Sequence, residues 1–218
     1  MNLQQLPLFQ GIEYAHLQTI IAETPFDFRK AEAGETILAE GAPYNQLLFL
    51  LNGSVIATRY AHNRHYSISE ILSGPILIHP EHLFGLHPFS PRTFTAKTDV
   101  HLMALSKEDT LRLSREYLVF HLNLQNTIAT QAQKALRQVW QPPPRNLRQS
   151  IVRFIQDRCI HPAGEKIVNI TLQQLAIELS ASRIYISKEL RAMERDGLLQ
   201  LERAQITIPA LEKLKEML

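Results

Sequence analysis

The chain of 218 residues contains one cysteine, Cys159. It therefore forms no intrachain disulfide, and it cannot hold an iron–sulfur cluster on its own thiolates, which takes about four. No apolar run approaches the ~18 residues expected of a membrane-spanning helix. The N-terminus, MNLQQLPLFQG, lacks the basic start and apolar core of a signal peptide. These absences point to a reduced, cytoplasmic setting with no membrane partner. Motifs for chemistry are also missing: there is no CxxC pair, no Gly-rich phosphate cradle and no Ser-His-Asp constellation, so the sequence does not read as an enzyme. Nor is there a large excess of charge, the net being +2.

What the chain does have is 45% hydrophobic residues, enough for globular cores, and a length suited to one large domain or two small ones. Its charge is uneven. Residues 1–141 hold 11 Lys+Arg against 12 Asp+Glu, whereas residues 142–218 hold 12 against 9. The C-terminal part is mildly basic, as a nucleic-acid module is. A boundary falls at QPPPRN (141–146), because three prolines lack amide donors and cannot continue a helix.

Upstream of the prolines, Phe120, Leu124, Ile128 and Ala132, then Ala135 and Val139, lie at helical spacing. They predict one long helix from about Glu116 to Trp140. Leu122, Ala129 and Leu136 add a second stripe at heptad spacing. So broad an apolar surface has to be buried against its own domain, a partner, or both. From about Thr36 to Ala104 the pattern is β: NQLLFLLNGSVIATRYA reads as two strands around an Asn52-Gly53 hairpin turn, and YSISEIL, GPILI, TFTAKTD and HLMAL follow. Many short strands with turn residues between them suggest a sandwich or jelly roll. The segment before them, QQLPLFQGIEYAHLQTIIAE, reads as helical. After Pro144, a helix, the short strand KIVNI, two helices and the hairpin LLQLERAQITIP are expected.

The two helices, TLQQLAIELSASRIYISKELRAMERDGLL, resemble a helix-turn-helix. Thr171 can cap the first, with Gln174 completing a capping box. Leu172, Leu175 and Leu179 form its buried face, and small Ala176 permits a close crossing. Ser180-Ala181 make the turn and Ser182 caps the second helix. Ile186, Leu190 and Met193 pack inward, leaving Arg183, Tyr185, Ser187, Lys188 and Arg191 outward. Such a helix fits the DNA major groove, where Arg pairs with guanine and Lys or Ser meets phosphates or bases. A plain helical hairpin with a solvated basic face is the other reading. Glu189 and Glu194 lie among the basic residues, and the turn lacks glycine, where positive φ costs a side chain roughly 1 kcal/mol.

With these blocks in order, the chain resembles the cAMP receptor protein and fumarate-nitrate reductase regulator (CRP/FNR) family over nearly its full length. PLFQGI is similar to the family opening. AGETILAEGAPYNQLLFLLNGSVIATR is similar to the cyclic-nucleotide-binding signature, with Gly34, Glu40, Gly41, Phe49 and Gly53 in place. FTAKTDVHLMALSKEDTLRL resembles the approach to the dimer helix, and ITLQQLAIELSASRIYISKELRAMERDGLLQLERAQITI resembles the winged helix-turn-helix. The resemblance implies an α+β fold in three parts: an effector-sensing, jelly-roll-type β-roll (1–115), a dimerisation helix (116–141) and a winged helix-turn-helix (142–218). It implies a homodimer on a palindromic double-stranded operator, with RNA polymerase as a candidate partner and an unknown small-molecule effector. The family's base-reading arginine falls on Arg183 and a further contact on Lys188; Thr171 and Gln173 fall where backbone phosphates are held. The family's cytosine-accepting glutamate is replaced by Ile184.

The effector turn departs further. Cyclic-nucleotide binders in the family carry Gly-Glu-Leu for the ribose and Arg-Ser or Arg-Thr for the phosphate. Here HPEHLFGLHPFSPRTF keeps Arg92-Thr93 but shows Phe84-Gly85-Leu86, with leucine in place of glutamate. Glu81 can substitute only if the loop is reshaped, and Arg92 is either an anion clamp or a buried structural arginine. Loss of the ribose acceptor argues against cAMP. Eight of the nine histidines precede the prolines, with His79, His82 and His87 at this turn and His62 and His65 in a hairpin. Haem for gas or redox sensing, or a metal as in a β-roll metalloenzyme, would use such residues. The reading adopted is surface histidines, with no metal ligand and no cofactor, haem being the alternative.

Overall fold

The computed structural model describes residues 3–216. Met1, Asn2, Met217 and Leu218 lie outside the described residues, as do the side chains of Gln138, Val139, Lys215 and Glu216. In chain order the elements are α1 (Tyr14–Glu23), β1 (Asp27–Ala31), β2 (Thr36–Leu38), β3 (Gln46–Asn52), β4 (Ser54–Tyr60), β5 (Ser67–Ser73), β6 (Ile76–Ile78), β7 (Thr93–Ala96), β8 (Val100–Ser106), α2 (Lys107–Glu116), α3 (Leu118–Val139), α4 (Leu147–Gln156), β9 (Lys166–Asn169), α5 (Leu172–Glu178), α6 (Arg183–Arg195), β10 (Gln200–Glu202), β11 (Gln205–Ile208) and α7 (Leu211–Glu216). Single 3-10 turns occur at Leu3–Gln5, Pro7–Phe9 and Pro80–His82. The N-terminal segment expected to be helical is thus two short turns and then α1. Pro7 has no amide to donate, and Gly11 takes positive φ.

The chain divides into two compact units: 1–55 with 72–140, and 56–71 with 141–218. Ile56–Ile71, which sequence order placed within 1–115, groups with the C-terminal unit because β5 pairs antiparallel with β9.

In the first unit an antiparallel sheet runs β1-β8-β3-β6, with Phe49 opposite Met103 and Leu48 opposite Ile78. Strand β2 pairs with β7. The Asn52-Gly53 turn is present, but β3 and β4 are not sheet neighbours. The chain turns a corner there instead of folding back as a hairpin. Gly53 sits at φ 82°, and a Cβ on it would lie 2.5 Å from the Asp99 carbonyl oxygen. The left-handed backbone was legible; which strands it joined depended on the partners each strand found. The core gathers Phe9, Phe49, Leu83, Met103, Leu113, Phe120 and Leu124, with the Phe9 and Phe120 rings 5.3 Å apart. Tyr117, in extended backbone, separates α2 from α3, so the long helix starts at Leu118.

Helix α3 spends its two apolar stripes differently. Phe120 and Leu124 are buried in this core, and Ile128 packs partly against it. Asn123 Nδ2 donates to the carbonyls of Leu8 and Gln10, fixing the helix's rotation. Leu118, Leu122, Gln125, Ala129, Ala132 and Leu136 recur at alternating spacings of four and three on the opposite side, and all are exposed. Leu118 is 68% and Leu136 62% exposed. Ala132, expected with the Phe120 stripe, belongs to this second seam.

In the second unit, β10, β11, β9 and β5 form one antiparallel run. Ile68, Ile151, Phe154, Val168, Leu175, Ile186, Leu190, Met193, Ile206 and Leu211 make its core. Opposite each other on β5 and β9 stand Glu70 and Lys166, both essentially without exposure, with Nζ 3.1 Å from Oε2. Glu70 also accepts from the amides of Ile160 and His161, and Lys166 donates to the carbonyl of Ala163. A buried pair so satisfied holds together three chain segments, but removing one partner strands a charge. Lys166→Met should therefore cost about 3–5 kcal/mol of stability in a denaturant titration. The double replacement Glu70→Leu with Lys166→Met should cost clearly less; equal losses would mean the pair does not act as a unit.

Candidate nucleic-acid interface and effector turn

Helix α5 begins at Thr171, whose hydroxyl accepts from the Gln174 amide at 3.1 Å. The reciprocal arm of the expected box is replaced: Gln174 Nε2 donates to Glu178 one turn on. The helix ends with the Ser180 amide donating to the Ile177 carbonyl and the Ala181 amide to Ala176. That pairing is a Schellman closure with Ser180 at its left-handed position, φ 49°. Helix α6 closes in the same way, with Leu198 donating to Met193 and Gly197 to Glu194, but there glycine occupies the left-handed position at φ 71°. Between the two helices, Ser182 Oγ accepts from the Ile184 amide and starts α6.

The buried face of α6 is Ile186, Leu190 and Met193, none with measurable exposure. Opposite it lies a shallow depression lined by Leu172, Arg183, Ile184, Ser187, Lys188, Arg191 and Arg195. Four cations and no acid line it. Of the residues expected at this face, Arg183, Ile184, Ser187, Lys188 and Arg191 come together. Thr171, Gln173, Ser182 and Tyr185 are exposed beside it. Arg195 was missed, although its spacing of four from Arg191 and seven from Lys188 puts it on the same stripe. Ile184 is 77% exposed, an apolar side chain with no core to join.

The two acids that favoured a plain solvated hairpin are turned away. Glu189 Oε1 accepts from Arg148 Nε at 2.6 Å, and the same guanidinium reaches Asp196 at 3.1 Å. Glu194 accepts from the Leu201 amide at the start of the wing. The cationic face is left without internal compensation, a surface suited to a polyanion. The wing itself is β10–β11, anchored by buried Ile206 and Ile208.

In the first unit, the expected effector residues divide. Leu86 is 96% exposed, and Gly85 is exposed close to the Glu81 carbonyl. Arg92 is 4% exposed and buried in the fold. Thr93 Oγ1 accepts from the Glu40 amide at 3.1 Å. Glu81 is held by histidine: its Oε1 lies 2.8 Å from His79 Nδ1 and 4.0 Å from His82 Nε2. Burial pulls the Glu81 carboxyl up, but the His79 hydrogen bond and the neighbouring imidazoles outweigh it and leave the carboxyl below its ordinary value. Surface placement holds for His62, His65 and His87, which are exposed, and not for His79 and His82, which are half-buried. The cause is local: His79 takes a left-handed backbone, φ 42°, and its ring packs edge-on against Phe94 at 5.5 Å.

Two family models match the chain: a cyclic nucleotide-binding domain over residues 28–117 and a Crp-like helix-turn-helix domain over residues 149–217. The chain is 25% identical to the CRP-like cAMP-activated global transcriptional regulator of Mycobacterium tuberculosis, over 97% of its own length and 96% of that protein. Among solved structures it is similar to the catabolite activator protein of Thermus thermophilus, at 20% identity and a TM-score of 0.52 over 97% of each chain. It is also similar to the sensor domain of the transcriptional regulator DNR from Pseudomonas aeruginosa, at 20% identity and a TM-score of 0.52 over 65% of this chain and 93% of that one. At these identities the structural likeness speaks for the fold.

The paired helix ends give a direct test of local strain. Ser180→Gly relieves a left-handed side chain and gives up some unfolded-state restriction. It should raise stability by up to about 1 kcal/mol in thermal melts. A loss would mean that the Ser180 side chain makes a contact worth more than the strain.

Proposed function

The chain belongs to the CRP/FNR family of transcription regulators, and on that premise we propose that it works as a cytoplasmic homodimer that reads a palindromic DNA site under the control of a small ligand other than cAMP. The family membership makes it a DNA-binding regulator with a cyclic nucleotide-binding domain, and not an enzyme. The observation that carries the finer reading is the uncompensated face of α6: Arg183, Lys188, Arg191 and Arg195 around exposed Ile184, with the nearby acids engaged elsewhere.

Dimerisation is supported by the exposed heptad seam of α3. Leu118, Leu122, Ala129 and Leu136 have the spacing of a two-helix interface, and the helix's other face is already committed to its own core. Against cAMP stand exposed Leu86 at the ribose position and Glu81 bound up with His79 and His82. Arg92 is buried, which supports the structural arginine of the two roles open to it.

Within the recognition helix, position separates roles. Arg183 lies at the N-terminal end, where side chains reach base edges, while Arg191 and Arg195 lie two or more turns along, toward the phosphates. Arg183→Ala should cost about 1–3 kcal/mol on the specific site and relax base preference at one position. Arg191→Ala and Arg195→Ala should each weaken specific and scrambled duplexes alike and lower the salt slope by about one unit. Ile184 cannot accept from cytosine but can meet a thymine methyl, so Ile184→Glu should move preference toward cytosine. Binding titrations against both duplexes over a salt series check all four. If Arg183→Ala lost affinity equally for both, it would be a phosphate contact and the reading face would be misassigned.

A further inference from the structure

We propose that His79, Glu81 and His82 bind a divalent transition-metal ion of the zinc or iron(II) class. Two imidazoles and one carboxylate are the donors these ions take, and three protein ligands leave a position open for water or a small ligand. One donor atom from each residue lies within 4.8 Å of the other two. Glu81 Oε1 lies 2.8 Å from His79 Nδ1 and 4.0 Å from His82 Nε2, separations that bracket the edge of about 3.3 Å that tetrahedral bonds of ~2.0–2.1 Å require. Among the described residues this is the group of His, Cys, Asp and Glu side chains close enough to hold an ion.

A second observation is independent of spacing. His79 Nε2 and Glu81 Oε2 are both buried and have no hydrogen-bond partner. Glu81 Oε2 is thus a buried acceptor without a donor, and burying such a group unpaired costs about 1–3 kcal/mol. With the ring proton of His79 on Nε2, Nδ1 and the carboxylate that faces it both present lone pairs to each other. A cation answers that surplus where another acceptor would not.

The turn is also built to hold its shape. Pro80 occupies the first position of the 3-10 turn. Tyr44, itself buried, donates its hydroxyl to the carbonyl of Ile78, immediately before His79. Phe94 supports the His79 ring, and the His79 and His82 rings stand edge to face 5.6 Å apart. The turn packs against α3, and Leu83, next to His82, shares a core with Phe120 and Leu124. An ion here would brace the segment on which the long helix rests. The site lies wholly in the first unit and does not rest on the DNA-binding reading.

The test uses the full-length protein, stripped with a chelator and titrated with Co²⁺ in the absence of DNA, followed by the visible d–d bands. Zn²⁺ competition is then measured by calorimetry. The expected result is one Co²⁺ per chain with the intensified bands of a site having fewer than six ligands. His82→Asn and Glu81→Gln should each weaken binding by more than about 10-fold, the lower end of what losing even a hydrogen-bonding neighbour of a ligand costs. His82 is partly exposed, so its replacement should leave the far-ultraviolet dichroism unchanged. The double variant His62→Asn with His65→Asn, which removes two exposed histidines, should bind as the wild type does. Bands that stay those of the hydrated ion, or triad variants that bind as tightly as the wild type, would overturn the proposal.

Discussion

The face that α6 presents is fixed by the face it buries. Ile186, Leu190 and Met193 are removed from solvent within the second unit's core, and each such burial is worth about 1.5–3 kcal/mol. Rolling the helix to offer any other stripe would forfeit most of that. The remaining side has no freedom to choose its partners, and it carries four cations with Ile184 among them. The ends of the helix are equally constrained, by Ser182 at one and by the Gly197 closure at the other. Arg148 completes the arrangement from behind by taking up Glu189 and Asp196. The electrostatic character of the surface is thus a consequence of packing and of acids being drawn off it, rather than of net charge, which is small.

Helix α3 obeys the same logic with a different outcome. Its Phe120–Leu124 side is locked by aromatic packing on Phe9 and by Asn123 on two carbonyls. The seam through Leu118, Leu122 and Leu136 consequently faces away from its own core. A helix with two apolar stripes can satisfy only one within a single chain of this fold. In the proposed homodimer a second copy bringing the same seam would satisfy the other by symmetry, which suits a reader of two-fold related half-sites.

Features written in contiguous residues were legible from the sequence. The caps Thr171 and Ser182, the 3.6 periodicity of α6 and the proline break all act over a few residues, and the fold follows them. Features decided by distant partners were not. Asn52-Gly53 declared a positive-φ turn, but the sheet neighbours of β3 are β8 and β6, so no hairpin forms. The pairing of Glu70 with Lys166, nearly a hundred residues apart, had no local signal at all. At the effector turn, Leu86 for glutamate was readable as a departure, whereas the burial of His79 and His82 depends on a left-handed backbone and on Phe94. Arg195 was readable in principle, since it continues the Lys188–Arg191 spacing.

On the proposed function, two copies of this chain read a two-fold DNA sequence through α6. Selection of bound sites from random duplex DNA by the full-length protein tests it most directly. Enrichment of a palindrome whose half-sites lie about one helical turn, ~34 Å, apart is the expected result. Recovery of no common sequence, or of a single half-site without its two-fold mate, would contradict it.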